Sequence, residues 1–73
     1  MMETVPCYYR VDRRHINYIK FIIEAYEGVA VLTTLDAEAG LIVLAVAPGC
    51  ESMVRAIMAD MGAALMIEAA GPP

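Results

Sequence analysis

VAVLTTLDAEAGLIVLAVAPG, residues 29 to 49, decides how this chain folds. Its first third, VAVLTTLD (29–36), is rich in β-branched residues, which suit a pleated strand. AEAG (37–40) supplies a turn glycine, and LIVLAVA (41–47) is a second strand, so the stretch predicts a hairpin closed off by Pro48-Gly49. With Leu35 set opposite Leu41, alternation divides the hairpin into two faces. Val29, Val31, Thr33, Leu35, Leu41, Val43, Ala45 and Ala47 share one. Ala30, Leu32, Thr34, Ile42, Leu44 and Val46 share the other. Neither face is polar.

On the N-terminal side the periodicity is helical. Ile16, Ile19, Ile22, Ile23 and Tyr26 form an apolar stripe between Arg13 and Glu27, opposed by Asn17, Lys20, Glu24 and Glu27. Asp12 is placed to cap this helix, and Gly28 to close it in the left-handed conformation. Ahead of it, Val5-Pro6 opens a first strand in which Cys7, Tyr9 and Val11 lie on one face and Tyr8 and Arg10 on the other. On the C-terminal side, residues 50–61 read as a second helix with Met53, Val54, Ile57, Met58 and Met61 inward and Glu51, Arg55 and Asp60 outward. Gly62 is expected to end it as Gly28 ends the first. ALMIEAA (63–69) reads as a last strand.

The order β-α-β-β-α-β, with right-handed crossovers, predicts a ferredoxin-like α+β fold: a four-stranded antiparallel sheet in the order 4-1-3-2 with two helices on one face. The 73 residues make one domain, with an ordered core over about residues 5–69 and a tail over 70–73.

Composition then raises a covering problem. Hydrophobic residues make up 60% of the chain, against about 45–50% in ordinary globular proteins. Two helices blanket one sheet face, and a wet antiparallel face alternates polar residues that the third strand lacks. A second copy covers such a face most simply, because one patch serves both subunits. Burying about 600 Å2 of apolar surface per subunit corresponds to ~15 kcal/mol before association costs. The sequence therefore predicts a homodimer or higher homo-oligomer, with Ala30, Leu32, Ile42, Leu44, Val46 and Met66 as the expected contact residues.

Charge is uneven. Residues 1–20 carry four basic and two acidic groups, and residues 21–73 carry one basic and seven acidic, for a net charge of −4. Phosphate-driven nucleic-acid binding needs a broader basic surface, so nucleic acid is not the expected partner. Arg10, Arg13, Arg14 and His15 gather near the first helix's start, where free N–H groups and two arginines suit a phosphate or carboxylate. This anion, nucleotide or RNA site is the alternative to the simpler reading of a solvated face. Tyr18, Phe21 and Tyr26, with the methionines, read as core at helical spacing, Tyr18 lying on the flank.

One histidine and two distant cysteines do not make a tetrahedral metal site, and no cofactor is expected. Cys7 and Cys50 fit two buried thiols better than a disulfide. No paired carboxylates, Ser-His-Asp order, GxSxG or phosphate-cradling glycine loop stands in the sequence, so the expectation is a non-catalytic protein. No apolar run approaches the ~18 residues of a membrane helix, and no basic-then-apolar leader is visible, which makes the cytoplasm the expected compartment.

Three βαββαβ classes offer functions to compare. RNA-binding domains of this topology stack bases on central-strand aromatics, whereas strand three here is aliphatic. Metal-binding relatives place CxxC before the first helix, where this chain has VDRRHI. Amino-acid-binding ACT domains have a glycine at that turn, where this chain has Asp12-Arg13; ACT-like association and small-metabolite sensing stay open. IKFIIEAYEGVAVLTTLD followed by GLIVLAVAPG resembles a bacterial family known only as a domain of unknown function, of the 4911 type, over about residues 7 to 68. Its recurring features are the helix stripe, Gly28, Asp36, Gly40 and Pro48-Gly49. The resemblance implies a small stand-alone α+β protein and brings no activity, cofactor or catalytic residue.

Overall fold

The computed structural model describes residues 3–72. Strand β1 (Val5–Val11) leads through a 3-10 turn (Arg13–His15) into helix α1 (Ile16–Ala25). Strands β2 (Ala30–Asp36) and β3 (Leu41–Val46) form the hairpin, followed by helix α2 (Glu51–Gly62) and strand β4 (Ile67–Ala70). The sheet runs β2-β3-β1-β4 with every neighbouring pair antiparallel. This is the ferredoxin-like order, with β1 and β3 central.

The hairpin register follows from its alternation. Val31 pairs with Ala45 and Thr33 with Val43, as Leu35 opposite Leu41 requires, but at the turn end Asp36 takes the place opposite Leu41. A bulge between Thr34 and Asp36 makes the difference. Its cause is local: the Asp36 carboxylate accepts hydrogen bonds from the N–H groups of Glu38 and Ala39, both at 3.1 Å. Such an aspartate turn competes with the sheet ladder.

At the other side of that turn, Gly40 has φ +71° and its carbonyl accepts from the Val11 N–H at 2.8 Å. A Cβ on Gly40 would stand 1.8 Å from the Val11 carbonyl oxygen. Only glycine allows the hairpin turn to lie this close to the end of β1.

The start of α1 is as expected in its cap and different in its geometry. Asp12, in extended conformation, accepts from the Arg14 N–H at 2.9 Å. The turn it caps is 3-10, so the α-helix proper begins at Ile16 rather than Arg13. The helix ends at Ala25, with Tyr26 as its C-cap, so Gly28, at φ +74°, serves the turn beyond it instead of closing it directly. Gly62 departs from expectation. It remains helical, Ala63 continues in right-handed geometry, and the chain leaves through short-range bonds from Ala64 and Leu65 to the Met61 carbonyl. Those bonds occupy residues expected to open the last strand, so β4 starts at Ile67 and runs to Ala70, one residue into the expected tail.

The core lies between the helices and one sheet face. Ile19 and Ile23 of α1 and Val54 and Met58 of α2 close on Leu32, Ile42, Leu44 and Val46, all buried. At about 1.5–3 kcal/mol for each fully buried aliphatic side chain, this layer is the main source of the fold's stability. Helix α1 packs chiefly against β2 and α2 against β4. The helices thus sit over opposite flanks of the sheet.

Helical geometry also corrects three core expectations. Phe21 is 70% exposed. It stands two residues from both Ile19 and Ile23, more than half a turn away around the helix, and so points outward. Tyr26 and Met53 are also exposed, at the margin of the stripe where the helices diverge.

Candidate functional site

The sheet has a covered and an open face, and residue pairing defines both. Leu32, Leu44 and Cys7 stand abreast, as do Thr34, Ile42 and Tyr9, on the side beneath the helices. The next rows face away: Val31, Ala45 and Pro6; Thr33, Val43, Tyr8 and Ala70; then Asp36, Leu41, Arg10 and Glu68. Val31 is 60% exposed on this face, and Tyr8, Leu41, Val43 and Ala45 are half-buried by one another.

The expected contact residues are therefore corrected. Leu32, Ile42, Leu44 and Val46 lie under the helices and are buried within one chain, and Ala30 shares their face. Covering is available only on the opposite set. Met66 is exposed, but it precedes β4 in the loop from α2 and is not part of the open face.

The charged residues of the open face lie in its last row. Arg10 of β1 stands in register with Glu68 of β4, at the corner nearest the turn of the hairpin. These two residues, with Leu41 and Ala70, border a shallow cleft of about 320 Å3.

The proposed anion residues do not converge. Arg10 belongs to the open sheet face, whereas Arg13 and Arg14 are exposed in the 3-10 turn. Arg14 is already occupied: its Nη2 donates to Asp12 Oδ2 at 2.7 Å, and its Nε donates to both carboxylate oxygens at 3.1 and 3.2 Å. Those hydrogen bonds hold the Asp12 carboxyl far below the usual carboxylate range and raise the Arg14 guanidinium further. A phosphate at this turn would have to displace a bidentate carboxylate. His15 is half-buried, with its Nδ1 buried and without a hydrogen-bond partner.

Several clefts open on the helix side, two of them broad. One, of about 670 Å3, separates the helices and is walled by Tyr18, Ile22 and Tyr26 of the α1 region and by Met53, Ile57 and Met61 of α2. The other, of about 470 Å3, lies beyond α2, where Arg55, Met58, Ala59 and Gly62 approach Tyr9, Ile67 and Ala69 of the sheet. Sequence reasoning placed Arg55 on the outward side of α2 and gave it no role. Its one signal was its isolation, as the sole cation after Lys20.

Cys7 and Cys50 are free thiols packed against the core. Among the described residues no group of three or more His, Cys, Asp or Glu side chains is placed to hold a metal ion. No helix among them is long and apolar enough to cross a membrane.

Fold and open face together define a small ferredoxin-like α+β domain with one sheet surface left bare. Residues 9–64 match the family model described as Domain of unknown function (DUF4911), and the chain belongs to that family. Comparison with curated proteins and with solved structures gives no match.

Proposed function

We propose that the protein is a non-catalytic module that works by associating with itself, two copies packing their open sheet faces together about a twofold axis. The apolar rows of that face carry the reading: Val31, Ala45 and Pro6, then Thr33, Val43, Tyr8 and Ala70, with no charge until the Arg10–Glu68 corner.

Size supports a modest contact. Strand β3 has six residues and the sheet has four strands. At ordinary strand spacings these extend about 20 Å by about 19 Å, a footprint of about 400 Å2. Side-chain relief brings the accessible area to roughly 600 Å2 per subunit, so a pair buries about 1,200 Å2, the lower bound for specific stable interfaces. A face of this size fits a dimer in exchange with monomer near micromolar concentration better than an obligate one.

Sedimentation or light scattering across a concentration series tests this. The expectation is a dimer that dissociates on dilution, and Val43→Asp should give a monomer with unchanged helical circular dichroism. A wild-type chain that stays monomeric at ~100 µM, well above the expected dissociation constant, overturns the reading.

A further inference from the structure

We propose that the cleft between α2 and the β1–β4 edge binds a small monocarboxylate with an apolar body, Arg55 and Tyr9 holding the carboxylate. Arg55 is the sole cation in residues 21–73, which hold seven acidic groups. Even so, it pairs with none of them, because the ion pair among the described residues is Arg14 with Asp12. Arg55 instead borders a cleft whose lining contains no acidic residue.

The other walls fix the class of ligand. Met58, Ala59, Ile67 and Ala69 offer only carbon and sulfur surface, and Gly62 leaves the rim without a side chain. The cleft measures about 470 Å3. That lies within the ~300–1,000 Å3 range of small-molecule sites, which pair apolar walls with a few polar anchors. A guanidinium presents two parallel N–H donors to a carboxylate. Tyr9, in the same lining, brings a phenol able to act as a third donor. Burial raises its pKa, with the neighbouring Arg55 opposing, so it keeps its proton at neutral pH. A phosphate, with more charge and more oxygens to satisfy, matches these few donors less well. An amino acid would bring an ammonium group that no carboxylate of the lining receives.

The site is distinct from the open face, since Tyr9 and Tyr8 point to opposite sides of the sheet. The test is an amide-resolved NMR titration of the full chain with phenylacetate, phenylacetamide and phenylalanine. Phenylacetate should shift the amides of Arg55, Gly62, Ile67 and Ala69 and saturate. Phenylacetamide should leave them in place, and phenylalanine should bind more weakly than phenylacetate. Arg55→Met should weaken phenylacetate about tenfold or more, Arg55→Lys less, and Tyr9→Phe several-fold, each with its thermal midpoint checked. Because Arg55 is exposed, its variants should fold normally. Any one of three results overturns the proposal: shifts that fail to saturate by ~10 mM, equal binding of acid and amide, or undiminished binding in folded Arg55→Met.

Discussion

Alanine at Gly40 and alanine at Gly28 would impose the same backbone penalty in two different surroundings. Both glycines sit in left-handed geometry, at φ +71° and +74°. An L side chain there costs about 1–2 kcal/mol. Around Gly28 an added Cβ meets nothing within 4 Å. At Gly40 it meets the Val11 carbonyl oxygen at 1.8 Å, far inside the 3.0 Å below which something must shift. Since the Cβ is fixed to the Gly40 backbone and the oxygen belongs to the Val11 backbone, the two chain segments would have to separate by more than an ångström. That movement breaks the bond from the Val11 N–H to the Gly40 carbonyl. A backbone bond of this kind is worth about 0.5–1.5 kcal/mol net. The shift also drags the hairpin turn off the core strand. Gly28→Ala should therefore cost about 1–2 kcal/mol, and Gly40→Ala at least about 3 kcal/mol, against the ~3–5 kcal/mol that a core of this size supplies. In urea, with a slope of ~1 kcal/mol per M, the Gly28 variant should lose about 1–2 M in midpoint and the Gly40 variant about 3 M or more, leaving it a midpoint of about 2 M at most. Circular dichroism at fixed protein concentration reads both. Equal losses in the two variants would refute the close-approach argument and leave only the dihedral penalty.

Other perturbations separate the two sheet faces and the helix surface. Leu44 is fully buried under the helices. Leu44→Ala should cost about 2–5 kcal/mol and lower the thermal midpoint by well over about 10 °C, in contrast to the open-face Val43→Asp. A small effect at Leu44 would mean that the helices cover the other face. Phe21 is exposed. Phe21→Ser should therefore change stability by no more than about 0.5 kcal/mol, and a loss typical of a core aromatic would contradict its placement. The depressed Asp12 pKa makes a signed pH prediction. Because the folded state holds this carboxyl below its unfolded value of ~3.9, its contribution is present above that pH and is lost as pH falls through the folded pKa. Between about pH 6 and about pH 2 the gap in thermal midpoint between wild type and Asp12→Asn should narrow toward the acid end; a constant gap would show that the charge is not the source.

Most of the element order was legible because each element's period is strong and its punctuation is chemical. Ile16, Ile19 and Ile23 recur at helical spacing, Asp12 caps as its side chain allows, and Gly40 occupies the turn where its missing Cβ is needed. The losses arise where one composition satisfies two geometries. Residues 63–66 are apolar enough for a strand, yet the chain uses Ala63 to Leu65 to unwind from α2. Phe21 has the chemistry of a core residue but an angle on α1 that turns it outward. The bulge at Thr34–Asp36 depends on short-range bonds to the Asp36 side chain that alternation does not register. The Arg55–Tyr9 cleft joins residues far apart in the chain, one on α2 and one on β1, and no local pattern announces it.

The choice of face was decided by a residue outside the hairpin. Within LIVLAVA both alternating sets are aliphatic, so the hairpin alone leaves either side equally fit to receive the helices. Strand β1 breaks the tie. Its Cys7, Tyr9 and Val11 are compatible with burial, whereas Arg10, one step out of phase, cannot be placed beneath two helices without leaving an unpaired guanidinium in the core. Since Arg10 pairs with Leu41, the Leu41, Val43 and Ala45 side must face outward, and Glu68 beside Arg10 reinforces the same choice. A direct test is Arg10→Leu, which removes the only cation on that face of β1 and extends the apolar rows to the corner. Stability of the single chain should change little, while self-association should strengthen. If instead the chain becomes less stable with no gain in association, then Arg10 serves the fold and does not limit the contact.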